Sequence, residues 1–458
     1  MAPAAGVASR PAAAPLAVVL ALAASVLGPA PAAAGLQGGG TAQGHVRVYD
    51  YGRWDDPLAP HPTSHDLAVG GDLVLHSGAL AGFSAALGFY TAHSLQLFDP
   101  RYEALAGPDR HLNALAEAYL QYQRDHVLVR AGRQLIDTPF AGPDLYTMLP
   151  RAFFGVAADV TPLPLHRAHP GAGDPVGGPA APFTDDADGP HLVLTLAYLW
   201  YYESRFADGF TRGNEYTTDP TDGFFVAGLR FRQRVGPHRL FAHAWYYDFV
   251  DFAHLGYGEA RYQLAGRAGL GPVVGFQLAH ETTAGRGRLG PVSAQVYGVL
   301  VGVSGPAFSL SFVADVAPEH FAAFRHGGLV HPYNDLTGNL YTDTMNDGLE
   351  DISPGQAYGV KGDAHLFARR LTLTLGYVRY RAGYGFHGAA YDVSGPAGYP
   401  PGQPFRRESQ WALDAGVAFT LPGALRGLTL QDTVGIRDAA GAPRGPMVEN
   451  RLALVYGF

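Results

Sequence analysis

The chain closes on Glu449, Asn450, Arg451, Leu452, Ala453, Leu454, Val455, Tyr456, Gly457 and Phe458. Leu452, Leu454, Tyr456 and Phe458 take alternate positions. A strand turns alternate residues to one face, so these four form an apolar stripe that stops on an aromatic ring. A β-protein of any kind can end in such a strand. The closing strand of a bacterial outer-membrane barrel has the same pattern, because its last ring belongs to the girdle at the membrane interface.

The other end of the chain separates these readings. Residues 1–34 have the form of a secretory signal peptide: Arg10 near the start, an apolar run from Ala14 to Leu27, and small residues at Ala32, Ala33 and Ala34. That run is too short and too rich in alanine for a spanning helix, and no other resembles it. The remainder, 35–458, is expected to be one transmembrane β-barrel domain in the bacterial outer membrane.

Composition agrees with export and with a barrel. The 458 residues include 60 Gly, 25 Tyr, 25 Phe and no Cys, so there is no disulfide framework. A net charge of −8 argues against a nucleic-acid partner. Mean hydropathy is −0.01, as expected where lipid-facing and lumen-facing residues alternate and cancel. Lys361 is the only lysine among 32 basic residues.

Stretches of about ten residues with period-two alternation recur between turn-forming segments. They predict strands over 44–52, 66–76, 80–91, 113–123, 126–134, 153–162, 191–204, 223–234 and 238–249. The others are 257–267, 273–283, 291–302, 307–316, 355–367, 370–381, 409–421, 427–437 and 447–458. Eighteen is an even number, as a single-chain barrel with both ends in the periplasm requires. Short connections near 235–238, 269–272, 304–307, 368–370 and 421–427 mark the periplasmic side, while 317–354 and 382–408 are long. Residues 163–190 break the rule, being long on the short-turn side. Either they are a periplasmic insertion or Leu163–Arg167 conceals a further strand.

Alternation also assigns faces. Phe225, Ala227, Leu229 and Phe231 form one side of a strand, with Arg230, Arg232 and Arg234 on the other. An arginine facing lipid at mid-membrane costs about 2–4 kcal/mol, so these three belong in the lumen, where they can hand an anion along. The competing role is structural pairing with Glu117, Glu281, Asp363 or Glu449. Lys361, Asp363 and His365 also face inward. Arg379 and Arg381 share parity with Leu371, Leu373, Leu375 and Tyr377 and so project outward, either toward lipopolysaccharide phosphates or through a local twist or bulge. No nucleophile elbow, HExxH, phosphate loop or dinucleotide fingerprint is present. The 19 histidines are scattered, so neither an enzyme, a metal nor a cofactor is expected.

Residues 131–155 resemble the OprD-like outer-membrane porins. The resemblance rests on Gly132-Arg133-Gln134, Thr138-Pro139, Asp144, Met148-Leu149-Pro150 and Phe153-Phe154-Gly155, with weaker echoes at Gly290–Gly298 and Asn450–Leu452. It implies an eighteen-stranded antiparallel barrel whose loop 135–152 folds inward to narrow a pore for small carboxylates along an arginine-rich wall. Thr147 stands where the family usually has arginine, with Arg151 or Arg133 as stand-ins.

The expected function is therefore passive, substrate-selective diffusion of small polar solutes. Arg230, Arg232, Arg234, Lys361 and Arg133 are placed along the path, and Asp144, Tyr146 and Arg151 at the constriction. Expected partners are the solutes, outer-membrane lipid and lipopolysaccharide, and the barrel-assembly machinery, which reads the strand ending in Phe458. A polysaccharide exporter or a barrel enzyme are the alternatives.

Overall fold

A computed structural model describes residues 34–36, 39–55, 63–97, 105–106, 111–144, 147–162, 191–266, 269–333, 340–345, 348–352, 354–382, 408–439 and 445–458. Most of the expected signal peptide, Tyr146 and the segment 163–190 lie outside the described residues.

Eighteen antiparallel strands form one closed ring. They are β1 (Gly40–Trp54), β2 (Ser64–His76), β3 (Phe83–Ser94), β4 (His111–Arg124), β5 (Val127–Gln134), β6 (Ala152–Val160), β7 (His191–Glu203), β8 (Phe224–Val235) and β9 (His238–Phe249). The second half holds β10 (Ala253–Leu264), β11 (Gly271–Thr283), β12 (Ser293–Ser304), β13 (Phe308–Ala317), β14 (Gly355–Leu366), β15 (Leu371–Ala382), β16 (Glu408–Thr420), β17 (Leu428–Ala439) and β18 (Met447–Gly457). Each pairs with its chain neighbours, and β18 closes on β1 through Leu454↔Val48 and Tyr456↔Val46. A three-residue strand, Ala34–Leu36, adds to the start of β1. Closure pairs each strand of the ring with a neighbour on both sides, as a membrane interior demands. Among the described residues no helix is long and apolar enough to cross a membrane.

All eighteen expected strands are present, two of them shifted by three or four residues. The strand expected at 257–267 is β10, because Asp251 takes a left-handed backbone (φ 68°) and turns the chain within three residues. Arg286 closes that turn, its Nε 2.7 Å from the Asp251 carboxylate. The strand expected at 80–91 is β3, since a tight Leu80↔Phe83 bridge occupies its first residues.

Short turns gather at one end of the barrel. Two-residue hairpins join β4 to β5 and β8 to β9, with Asp125 (φ 50°) and Gly236 (φ 56°) supplying the left-handed backbone such turns require. Strands β6 and β7 pair directly, Val160 opposite Leu194. No strand therefore stands between them in the wall.

The alternation sorts side chains as expected. Leu229, Phe276, Val301, Phe312, Val360 and Leu375 are exposed on the outer face, while Val226, Tyr247, Tyr257, Val313 and Val378 are buried inside. Phe458 pairs with Gly44 through both backbone groups, at 3.0 and 3.1 Å.

Candidate functional site

The connection from β5 to β6, described at 135–144 and 147–151, crosses the lumen. Near its start the Phe140 amide donates to the Tyr247 hydroxyl of β9 at 3.2 Å. The Phe140 ring lies edge-on to Tyr247 and Tyr257, at 5.9 and 5.3 Å between centroids. Further along, Arg47 of β1 donates to the Thr147 carbonyl at 2.6 Å. One short segment thus touches walls on both sides of its own strands. Ile136, Phe140, Met148 and Leu149 are buried, so apolar contact drives the inward fold. The tight Thr138↔Ala141 pairing holds its first turn, as the Thr138-Pro139 step leads one to expect.

Ion pairing anchors the far end. Arg151 is fully buried and donates to Asp144 Oδ2 at 2.9 Å, while Arg205 reaches the same oxygen at 2.7 Å. Arg151 Nε is 3.5 Å from Glu215 of the β7–β8 connection. Asp144 itself adopts φ 48°. Asp144 and Arg151 are therefore ion-pair partners that brace the far end of the loop.

A second inward loop was not expected. Its described parts, 318–333 and 340–345, descend into the barrel and are pinned by carboxylates on four strands. Glu281 of β11 accepts from the Val330 amide at 2.7 Å, and Glu259 of β10 from the Tyr341 hydroxyl at 3.0 Å. Asp315 of β13 takes both the amide and the hydroxyl of Thr342 at 2.7 Å, and Asp414 of β16 takes the Met345 amide at 2.7 Å. Tyr380 donates to the Thr342 carbonyl at 2.7 Å, and Lys361 to that of Asp343. Tyr333 stacks on Phe224 at 4.5 Å. The available signal was an acid at an inward position of each strand. Such an acid needs a donor, and a Gly/Asn/Asp-rich loop supplies backbone amides.

Pro139 of the first loop and Met345 of the second meet the same cavity, of about 1030 Å³. Arg239, Arg261, Lys361 and Arg369 supply its cationic lining, and Glu259, Asp343, Asp363 and Asp414 its acidic lining. A second cavity of about 200 Å³, lined by Arg47, Tyr49 and Arg451, also touches Met345 and Thr433.

The expected path residues fall at different places. Arg230, Arg232 and Arg234 step along the inner face of β8, opposite His243, Phe241 and Arg239 of β9. Arg230 is buried, with Asp159 at 3.4 Å and Thr195 at 3.3 Å. Asp159 is not among the four carboxylates considered from sequence. Glu449 is instead held by Arg53 and Arg451, each at 2.7 Å. Lys361 lines the larger cavity. Arg133 pairs across strands with Ala118 and Phe154. Its guanidinium lies 4.8 Å over the Phe210 ring and donates to the Leu115 carbonyl at 3.2 Å. Left-handed Gly132 (φ 130°) precedes it. The inward arginine of β5 is Arg130, stacked 4.8 Å over Tyr119 and bonded to Gln121 at 2.7 Å.

Burial pushes the Asp137 carboxyl of the first loop up to about 6, with Arg230 pulling the other way. Below that pH Asp137 is neutral; above it, a carboxylate forms beside Arg230 and offsets its charge. Anion conductance should therefore fall as pH rises through about 6 in planar-bilayer recordings, and Asp137→Asn should lack that step. The folded state holds this proton more tightly than the unfolded chain, so the contribution of Asp137 to stability declines as pH rises from about 4.

No family model matches the chain, and no curated protein matches it. Solved structures do. Pseudomonas aeruginosa OpdK with vanillate superposes with a TM-score of 0.69 at 15% identity, over 92% of this chain and 98% of that one. This is a porin fold. The outer-membrane reading and the eighteen-stranded ring fit it. Pseudomonas aeruginosa OccK2 (OpdF) in complex with glucuronate gives 0.67 at 14% identity, again over 92% and 98%. A BenF-like porin from Pseudomonas fluorescens Pf-5 gives 0.68 at 13%, with the same coverage. Shared wall geometry at so low an identity follows from the rules that fix a barrel: strand number, tilt and alternation, each satisfied by many residues.

Proposed function

We propose that this chain is an outer-membrane porin through which small carboxylate-bearing solutes diffuse passively. The observation that carries the reading is the first loop spanning the lumen from Tyr247 to Arg47, beside a cavity with cations on its wall. A loop held at both ends narrows the passage without sealing it. The cations then favour anionic solutes while the narrowing selects on size. Arg230, Arg232 and Arg234 on β8, then Arg239, Arg261 and Lys361, form an arc along which a carboxylate is passed. Acidic neighbours such as Glu259 and Asp343 keep each site weak enough to release its guest.

Two of the similar structures hold carboxylates, vanillate and glucuronate, which supports the substrate class. In this reading residues 1–34 direct export and are removed, and the strand ending in Phe458 is presented to the barrel-assembly machinery. Swelling of liposomes containing the purified protein tests the function directly. Small monocarboxylates should enter several-fold faster than neutral sugars of similar size. Equal rates would remove the carboxylate preference, and no swelling would remove the channel.

A further inference from the structure

Arg379 and Arg381 of β15 stand outside the solute path. Val378, Tyr380 and Ala382 are buried inside the barrel, so the two arginines between them point outward, and both are exposed. Pairing of β15 with β14 and with β16 runs without a register shift. A bulge therefore does not explain their direction. Neither guanidinium has an ion-pair partner among the described residues.

Their height gives the position a meaning. Arg379 and Arg381 lie eight and ten residues above Leu371, counting 379 − 371 and 381 − 371. At about 3.3 Å per residue on a strand tilted about 40°, they are about 20 and 25 Å up the wall. Directly below, Leu373, Leu375, Val360, Leu310 and Phe312 are exposed and apolar. Tyr377, Tyr358 and Trp411 occupy the junction; Tyr358 and Trp411 are the cross-strand neighbours of Arg379. Gln356 and Ser409 flank Arg381 in the same way and add neutral hydrogen-bonding groups. The acid nearest along this row, Asp438, accepts from the Trp411 indole at 3.1 Å. From below upward the wall thus reads acyl-chain contact, aromatic belt, then paired cations.

We propose that this patch binds the phosphorylated headgroup of a lipid in the outward-facing leaflet, its acyl chains lying on the apolar strip beneath. Guanidinium forks match phosphate oxygens in geometry and charge. Arginines two residues apart on one strand face are close enough to share one headgroup. The apolar strip commits the site to a membrane lipid, since a free anion has no use for it.

The test is thermal unfolding of the full mature chain in phosphatidylcholine nanodiscs doped with diphosphorylated lipid A or with its dephosphorylated form. A ligand that binds only the folded state raises the midpoint by mass action. The wild type should melt several degrees higher with the phosphorylated lipid, and Arg379→Gln with Arg381→Gln should lose most of that difference. Should the double variant fail to fold, Arg381→Gln alone should lose part of it. Equal midpoints with the two lipids, or a variant that keeps the full difference, would overturn the proposal. So would an equal rise produced by inorganic phosphate in undoped discs.

Discussion

Arg232→Glu combined with Arg234→Glu should reverse the ion preference of the channel. Both side chains occupy the inner face of β8, opposite Phe241 and Arg239, and the next inner cations along the arc are Arg239 and Arg261. Two reversals change the local charge by four units inside a low-dielectric wall, where potentials are focused rather than screened. Local enrichment of anions by such fields spans about 10- to 1000-fold. In a planar bilayer under a KCl gradient, the reversal potential should change sign, and carboxylate uptake into liposomes should fall by about tenfold. Strand pairing is untouched, because these are lumen positions that tune selectivity rather than hold the wall. An unchanged reversal potential would place the solute route elsewhere.

Asp144→Ala should loosen the first loop and widen the pore. Asp144 Oδ2 receives both Arg151 and Arg205, at 2.9 and 2.7 Å, and both guanidiniums are buried. Removing one partner of a buried ion pair costs about 3–5 kcal/mol, because the other charge stays behind without compensation. Glu215 remains 3.5 Å from Arg151 and offsets part of that loss. The barrel wall is far larger than this bracket, so the expected response is local. Single-channel conductance should rise and become noisier, while the main unfolding transition of the barrel moves little. Asp144→Asn, which keeps an acceptor oxygen but no charge, should fall between the two. A conductance equal to the wild type in Asp144→Ala would mean that Phe140 on Tyr247 and Arg47 on Thr147 suffice to hold the loop.

The alternation that fixes facing is a local property, and it was legible residue by residue. Leu229 against Arg230, or Tyr377 against Val378, could be assigned from parity because a strand has no other way to place successive side chains. Arg133 came from the motif and not from parity; its neighbour Gly132 takes φ 130° within the strand, and its cross-strand partners are Ala118 and Phe154. The strand at 253–264 was displaced by a tertiary contact. The turn at Asp251 depends on Arg286, 35 residues away.

From the sequence alone come the eighteen strands and their inner and outer faces, since turn chemistry and period-two patterning act over a few residues, whereas the inward first loop was implied only by the resemblance carried by residues 131–155. The second loop belongs to the tertiary structure. Tyr341 finds Glu259 across 82 positions, Met345 finds Asp414 across 69, and the first loop reaches Tyr247 across 107. Which buried carboxylate meets which amide depends on where closure of the ring brings distant strands, and no local pattern encodes that distance.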